Sequence, residues 1–126
     1  MFDHMGIHVR DWEKSRKFYE LALAPLGIKL LRNYDEYKVS GYGTERPQFW
    51  VGTGEKKPIN GEKEVHICFT AKTHAEVKAF YDAAMKAGAR DNGAPGLRPE
   101  YHENYYGAFV LDPDGHNIEA CCQIPQ

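Results

Sequence analysis

The chain has 126 residues, 42% of them hydrophobic and 27% charged, and a formal net charge of −2. This balance is typical of one compact globular domain and gives no reason to expect nucleic acid or an anionic membrane as a partner. No apolar run reaches membrane-spanning length, and the N-terminus enters a strand-like segment rather than a signal peptide. Three cysteines offer no disulfide framework, so a reducing cytoplasm is the expected location.

The first half of the chain carries the signals of one strand, one helix and three further strands. The strand begins at His4 and alternates polar with apolar residues. Asp11 is a suitable N-cap for the helix that follows, and Gly27 is a suitable C-terminal stop. Between them, the residues of one helix face recur at helical spacing, at Trp12, Ser15, Phe18, Tyr19, Ala22 and Leu26. Strand-like runs come next at residues 28–31, 36–40 and 47–52.

A stretch rich in Gly, Lys, Pro and Asn then separates two halves of the chain. It predicts an exposed linker at residues 56–62, between a first module (residues 1–55) and a second module (residues 63–124). Both modules are expected to belong to one domain.

The second half repeats the order of the first. Its strand begins at His66, and Thr73 with Glu76 forms a capping box at the start of its helix, which Gly88 ends. The segment GARDNGAPGLRP predicts one short or irregular strand. Residues 105–111 and 116–122 then predict a hairpin around the turn sequence DPDG.

The two halves are also similar residue by residue. At an offset of 62, His4 aligns with His66, and Phe18 and Tyr19 align with Phe80 and Tyr81. We therefore predict an α+β fold made of two copies of a βαβββ module.

Strand alternation assigns several polar residues to the sheet faces that point away from the helices. These residues are His4, His8, His66, Thr70, Glu119 and the cysteines Cys68 and Cys121. A buried carboxylate such as Glu119 is costly unless it is paired. If the two sheets curve toward each other, His4, His66 and Glu119 converge into a set suited to a divalent metal with open positions. The alternative is that Glu119 pairs with a Lys or Arg at the rim.

Three segments resemble the vicinal oxygen chelate superfamily, which includes glyoxalase I, the bleomycin-resistance proteins and the extradiol dioxygenases. They are DHMGIHVRDWEKSRKFY, VHICFTAKTHAEVKAFY and FVLDPDGHNIE, and the resemblance extends over essentially the whole chain. It implies a glyoxalase-like fold in which paired βαβββ modules form a curved mixed-sheet cup around a metal. His4 and His66 match the first-strand ligands of that family, and Glu119 matches its last-strand carboxylate.

The chain departs from each named branch of this family. Where glyoxalase I has a second glutamate, this sequence has Trp50, and the nearest polar residue of the same face is Gln48. Where the dioxygenases have a tyrosine ten residues before the last ligand, this sequence has Phe109. Tyr106 and its neighbour Tyr105 are then the candidate hydroxyl groups. His8 and His102 are the candidates for the acid or base that is not a metal ligand.

The segment GLRPEYHENYYG before the final hairpin resembles a lid. In this segment Arg98 is expected to bind the anionic group of a substrate. The remaining part of the substrate is expected to contact Tyr101, His102 and Tyr105. Gln48 and Trp50 are expected to contact substrate from the other module. Tyr34, Tyr37 and Tyr42 are expected to line the pocket mouth beside Trp50.

Three functions remain open from the sequence. The first is a metal-dependent enzyme that acts on a small oxygen-chelating metabolite. Iron or manganese would favour ring-cleaving dioxygenase chemistry, and zinc or nickel would favour lyase or isomerase chemistry. The second is a metal-free binding protein of the bleomycin-resistance type, and the third is a regulatory module. By resemblance, we expect a homodimer with His8 and Tyr106 as catalytic groups.

Overall fold

The computed structural model of the protein describes residues 1–53 and 65–126. The predicted linker at residues 56–62 lies outside the described residues. The first module contains β1 (Met5–His8), α1 (Trp12–Leu23), a short 3-10 helix (Ala24–Leu26), β2 (Lys29–Tyr34), β3 (Val39–Gly43) and β4 (Phe49–Gly52). The second contains β5 (His66–Thr70), α2 (His74–Lys86), β6 (Arg90–Leu97), β7 (Tyr106–Leu111) and β8 (Asn117–Cys122).

The helices begin and end where their capping residues predict. The Asp11 carboxylate accepts a hydrogen bond from Lys14 N (3.1 Å), and the Thr73 hydroxyl accepts one from Glu76 N (3.1 Å). Gly27 and Gly88 follow the helical segments with φ of 77° and 103°. Such angles favour glycine, because a side chain would be strained there.

The two modules have the same sheet topology. The strand order is β1-β4-β3-β2 in one sheet and β5-β8-β7-β6 in the other. In each, the first strand pairs in parallel with the last, and the other neighbours are antiparallel. The predicted α+β fold of two βαβββ modules is thereby confirmed.

One continuous core joins both modules. Helix residues such as Phe18 and Phe80 pack with strand residues such as Ile7, Val51 and Ile118, all of them buried. Alternation therefore directs the apolar side of each sheet toward the helices, and the polar side faces away from them. No helix in the described part of the chain is both long and apolar enough to cross a lipid bilayer.

The DPDG turn fastens the second module onto the first. Tyr19, in α1, donates its hydroxyl hydrogen to Asp112 Oδ2 at 2.5 Å, and Asp112 is only 2% exposed. The other Asp112 oxygen accepts from the backbone N of Asp114 (2.9 Å) and of His116 (2.8 Å). Arg10 N in turn donates to Asp114 Oδ1 (3.0 Å). The turn that leads into β8 is thus held by the first helix.

Several strand boundaries differ from the sequence prediction. β2 ends at Tyr34 rather than at residue 31, and β4 begins at Phe49 rather than at residue 47. β3 begins at Val39 rather than at residue 36, because the residues before it form a turn in which Lys38 has a φ of 50°. β6 extends over eight residues, and its register against β7 shifts twice, around Gly93 and Gly96. The glycines and the proline in this strand account for its irregular pairing.

Candidate metal centre and ligand-binding face

Glu119 lies in the middle of β8 and is 1% exposed. Its Oε1 atom is 2.9 Å from His66 Nε2, and its Oε2 atom accepts a short hydrogen bond from the Tyr105 hydroxyl. The His66 side chain is 53% exposed, so the imidazole contacts both the buried carboxylate and solvent. The carboxylate is therefore paired by an imidazole and a phenol.

A glycine makes the contact between Tyr105 and Glu119 sterically allowed. Gly107 lies in β7 beside both residues, and a Cβ atom there would be 3.1 Å from the Tyr105 ring and 3.2 Å from Glu119 Oε2. Desolvation, and then the hydrogen bond to Glu119, raise the pKa of Tyr105 above its usual range. Tyr105 therefore remains a hydrogen-bond donor to the carboxylate at neutral pH.

Two thiols flank the same carboxylate. Cys68 pairs with Glu119 in register across β5 and β8, and Cys121 is two residues further along β8 on the same face. The two sulfur atoms and a Glu119 oxygen all lie within 4.8 Å of one another. Desolvation, and then the Cys121 thiol and the Glu119 carboxylate, raise the pKa of Cys68. A raised pKa disfavours a nucleophilic thiolate, so Cys68 is poorly suited to covalent catalysis.

Arg98 and Phe109 supply a cation and an aromatic surface beside this cluster. The Arg98 guanidinium is 5.6 Å from the Phe109 ring centre, and its Nη2 donates to Ala94 O (2.8 Å). The Phe109 ring is in turn 6.2 Å from the His66 ring. A cation that shares the Phe109 ring with the exposed imidazole is suited to the anionic part of a ligand.

The other two predicted residues of the lid segment occupy its outer surface. Tyr101 packs edge-to-face on Tyr105 with ring centres 5.3 Å apart, so it supports the residue that contacts Glu119. His102 accepts a hydrogen bond from Asn104 N at 3.2 Å through Nδ1, which is a contact within its own turn. Both residues are exposed.

The structure corrects the expected position of Tyr106. This residue is 9% exposed and stacks on His74 of α2, with ring centres 3.9 Å apart. It shares the helix-facing side of β7 with Ala108 and Val110, both fully buried. Because successive residues of a strand alternate faces, Tyr105 is the tyrosine on the polar side. The hydroxyl predicted at Tyr106 is supplied there by Tyr105.

His4 does not join His66 and Glu119 within one chain. Its Nδ1 atom is 2.7 Å from Asp3 Oδ1, and the residue is exposed just before β1. Among the described residues, the only group of three ligand atoms within 4.8 Å of one another is formed by Cys68, Glu119 and Cys121. Metal ligation by His4 therefore stays a prediction.

Trp50 occupies the position in the first module that Glu119 occupies in the second. Trp50 pairs with Gly6, and Glu119 pairs with Cys68, the residue 62 positions after Gly6. The indole stacks on Tyr34, with centres 6.3 Å apart and planes 10° apart. A Cβ atom at Gly41 would approach the indole to 2.7 Å. An aromatic surface thus replaces the carboxylate in this module.

A cavity of about 530 Å³ opens beside Trp50. Its lining includes His8, Tyr37, Lys38 and Thr53. Gln48 is exposed just before β4, and its backbone carbonyl accepts a hydrogen bond from Met5 N (2.8 Å). The expectation that Tyr42 lines the pocket mouth is wrong, because that ring is fully buried and its hydroxyl donates to Arg16 O (2.8 Å).

The side chains around Glu119 fit a divalent cation. An imidazole, a carboxylate and two thiols from rigid neighbouring strands are all good donors to transition metals. A cation would also balance the charge of a carboxylate that water does not reach. His66 and Glu119 were predicted for this role from the sequence, but the thiols were not. The sequence does indicate the thiols, because Cys68 and Cys121 each follow a predicted ligand by two residues and so share its strand face.

A family model that matches most of the chain defines the class of this protein. Residues 1–120 match the family model described as "Glyoxalase/Bleomycin resistance protein/Dioxygenase superfamily". The chain therefore belongs to that superfamily, as its three sequence segments indicate.

Individual relatives agree with this assignment. A solved glyoxalase/bleomycin resistance protein from Albidiferax ferrireducens T118 is 30% identical, with a TM-score of 0.75, and the alignment covers 96% of this chain and 97% of that one. The E144Q mutant of glyoxalase I from Zea mays is 25% identical, with a TM-score of 0.68, over 95% of this chain and 46% of that one. The Bacillus subtilis (strain 168) protein "Uncharacterized protein YqjT" is 26% identical over 92% of this chain and 94% of its own length.

Proposed function

We propose that the protein is a metal-dependent enzyme that acts on a small molecule with two adjacent oxygen atoms. The observation that supports this most strongly is the buried Glu119 carboxylate, which lies 2.9 Å from the exposed His66 imidazole. A carboxylate held inside a sheet beside an accessible imidazole is an arrangement that a divalent cation stabilises. Membership of the superfamily and the likeness to glyoxalase I of Zea mays are consistent with this proposal.

His66 and Glu119 would hold the cation from the second module. When bound, a divalent cation supplies Lewis-acid polarisation of a ligand oxygen. Tyr105 fixes the orientation of Glu119 through its hydroxyl and keeps its own proton at neutral pH. The lyase, isomerase and ring-cleaving dioxygenase classes are all compatible with these roles.

The ligand would be oriented by residues around this pair. Arg98 offers its guanidinium to an anionic group, and Phe109 offers an apolar surface between Arg98 and His66. Tyr101 supports the Tyr105 ring, and His102 remains a proposed ligand contact of the lid segment.

His4 is proposed as a further metal ligand supplied by a second copy of the chain. In one chain it lies outside the cluster around Glu119, yet it is exposed on the solvent side of its own module. A homodimer in which the first module of one copy faces the second module of the other would bring His4 to His66 and Glu119. The same arrangement would bring His8, Gln48 and Trp50 to the ligand, with His8 as an acid or base. We propose that this dimer operates in the cytoplasm.

Metal content tests the proposal. The parent protein is freed of metal with a chelator, reconstituted and measured by elemental analysis beside Glu119→Ala, His66→Ala and His4→Ala. We expect near-stoichiometric metal in the parent and a loss in all three variants. Glu103→Ala, which removes an exposed carboxylate of the lid turn, is the matched control and should retain the metal. Absence of metal from the reconstituted parent would contradict the proposal.

The Trp50 surface favours a second candidate, a metal-free binding protein. The cavity of about 530 Å³ is lined by Trp50 together with Tyr37, and the Trp50 indole is itself held by stacking on Tyr34. Such an aromatic wall is suited to a planar apolar ligand. In this function Glu119 would be satisfied by His66 and Tyr105 alone. Quenching of indole fluorescence by planar ligands in a metal-free protein, abolished by Trp50→Leu, would support this candidate.

A further inference from the structure

We infer that Cys68 and Cys121 are metal ligands beside Glu119, and that the centre therefore prefers a thiophilic cation such as zinc over iron or manganese. The inference rests on the proposed metal site and adds the identity of two donors and the class of cation.

The geometry of β5 and β8 carries this inference. Cys68 is directly opposite Glu119 in the parallel ladder, and Cys121 is opposite Thr70. All three side chains leave the same face of two hydrogen-bonded strands, so their Cα positions are fixed by the sheet. The two sulfur atoms and a carboxylate oxygen already lie within 4.8 Å of one another. Donors that share one zinc ion lie roughly 3.3 to 3.8 Å apart, given bond lengths of about 2.0 to 2.3 Å. The spacing in the structure therefore exceeds that of a shared zinc ion by at most about 1.5 Å.

The equivalent positions of the first module lack the donors that the second module has. Trp50 stands where the second module has Glu119, and Gly6 stands where it has Cys68. His8 pairs with Gly52 at the place where Thr70 pairs with Cys121. Gly6, Trp50 and Gly52 are therefore the equivalents of Cys68, Glu119 and Cys121, and none of them has a carboxylate or a thiol. The second module has both, so the donors are concentrated on one side of the site.

Access and chemistry agree with a metal-binding role for the thiols. Cys68 is exposed and Cys121 is half-buried, whereas Cys122 is buried on the helix side of β8. Structural cysteines of a core point toward apolar residues, but these two lie beside a carboxylate and each other. Thiolate ligands select zinc and cuprous ions, carboxylate ligands suit manganese, and imidazole ligands serve zinc and iron alike, so the two thiols shift the preference toward zinc.

Cobalt substitution tests the inference without an activity assay. The metal-free protein is titrated with Co²⁺ under reducing, anaerobic conditions, and the near-ultraviolet sulfur-to-cobalt charge-transfer absorption is recorded. We expect this absorption in the parent and in Cys122→Ala, which is the matched cysteine control. It should be lost or strongly reduced in Cys68→Ser and Cys121→Ser. Zinc affinity of these two variants should fall more than about 100-fold, beyond the loss that an outer-shell change produces.

Alkylation provides a second readout in the parent protein, independent of any variant that folds poorly. Saturating zinc should protect Cys68 and Cys121 from a thiol reagent, as located by peptide mass spectrometry. Cobalt bound without sulfur absorption and with both thiols still reactive would overturn the inference. If that binding is nevertheless lost in Glu119→Ala, the proposed metal site stands without its thiols. If no metal binds to the parent at all, both proposals fail.

Discussion

Trp50 and Glu119 are equivalent residues of the two modules, and they differ completely in chemistry. Each sits at the same point of the last strand, opposite residues that are 62 positions apart, Gly6 and Cys68. One side chain is an indole stacked on Tyr34, and the other is a buried carboxylate paired with His66 and Tyr105. The duplicated fold therefore has a buried carboxylate in one half and an aromatic surface at the equivalent position in the other.

Tyr105→Phe should weaken metal binding without unfolding the protein. The change removes the hydroxyl that orients Glu119 Oε2 and leaves the ring in place. Loss of a partner of this kind typically costs 10- to 100-fold in metal affinity. Calorimetric titration with zinc measures the effect. Tyr101→Phe, which alters the exposed neighbouring ring, is the control and should leave the affinity unchanged. Equal affinities in all three proteins would contradict the role given to Tyr105.

Tyr19→Phe should destabilise the whole domain. It deprives the buried Asp112 carboxylate of its 2.5 Å hydrogen bond, which joins the first helix to the final hairpin. Leaving a buried acceptor with one partner fewer costs about 1–3 kcal/mol. Urea unfolding followed by circular dichroism measures the change. The aligned variant Tyr81→Phe breaks an exposed hydrogen bond to Asp91 and should have a much smaller effect. Similar losses of unfolding free energy in the two variants would show that the buried Tyr19–Asp112 hydrogen bond stabilises the domain no more than the exposed Tyr81–Asp91 bond does.

Gly41→Ala should disturb the Trp50 surface. The added Cβ atom would lie 2.7 Å from the indole, so the ring must move from the position in which it stacks on Tyr34. We expect a shift in indole fluorescence and a loss of stability of about 1–3 kcal/mol, the usual cost of overpacking. Gly6→Ala is the matched control, because its Cβ atom would be 3.4 Å from Trp50 at closest approach. An unchanged spectrum in Gly41→Ala would mean that the indole is not held against this glycine.

Stability should fall as the pH rises above about 10. Desolvation, and then the Asp112 charge, raise the pKa of Tyr19 well above its usual value of 10.0. Between the unfolded and folded pKa values the unfolded state binds fewer protons, so the free energy of unfolding decreases with increasing pH. The contribution of Tyr19 is complete below pH 10 and declines by about 1.4 kcal/mol per pH unit above it. The free energy of unfolding of the parent and of Tyr19→Phe is measured between about pH 8 and 11, a range around the unperturbed pKa of tyrosine. The decrease with pH should be shallower in the variant. Parallel slopes would contradict it.

Local signals were sufficient for most of the fold. Asp11, Thr73, Gly27 and Gly88 mark the helix boundaries through hydrogen bonds and backbone angles that depend on a few neighbouring residues. The offset between His4 and His66 revealed the duplication, and alternation assigned Glu119 to the polar face. These predictions rely on short-range chemistry, which a single sequence carries.

The sequence could not decide the features that depend on the exact face of a strand residue or on packing between modules. Tyr105 and Tyr106 are adjacent, so choosing which one faces the site requires the pairing of β7 with β8, in which Tyr106 lies opposite the buried Cys122. The separation of His4 from Glu119 depends on how the modules pack through their helices, which no local pattern encodes. Cys68 and Cys121 could have been included from parity alone.

The most direct test of the account is the metal content of the reconstituted parent protein beside Glu119→Ala. Glu119 is the buried residue on which the proposed centre depends, and its removal takes away both the charge and the contact with His66. The account predicts close to one equivalent of a divalent transition metal per chain in the parent and a loss of it in the variant. A parent that binds no metal, or a variant that binds it equally well, would contradict the account.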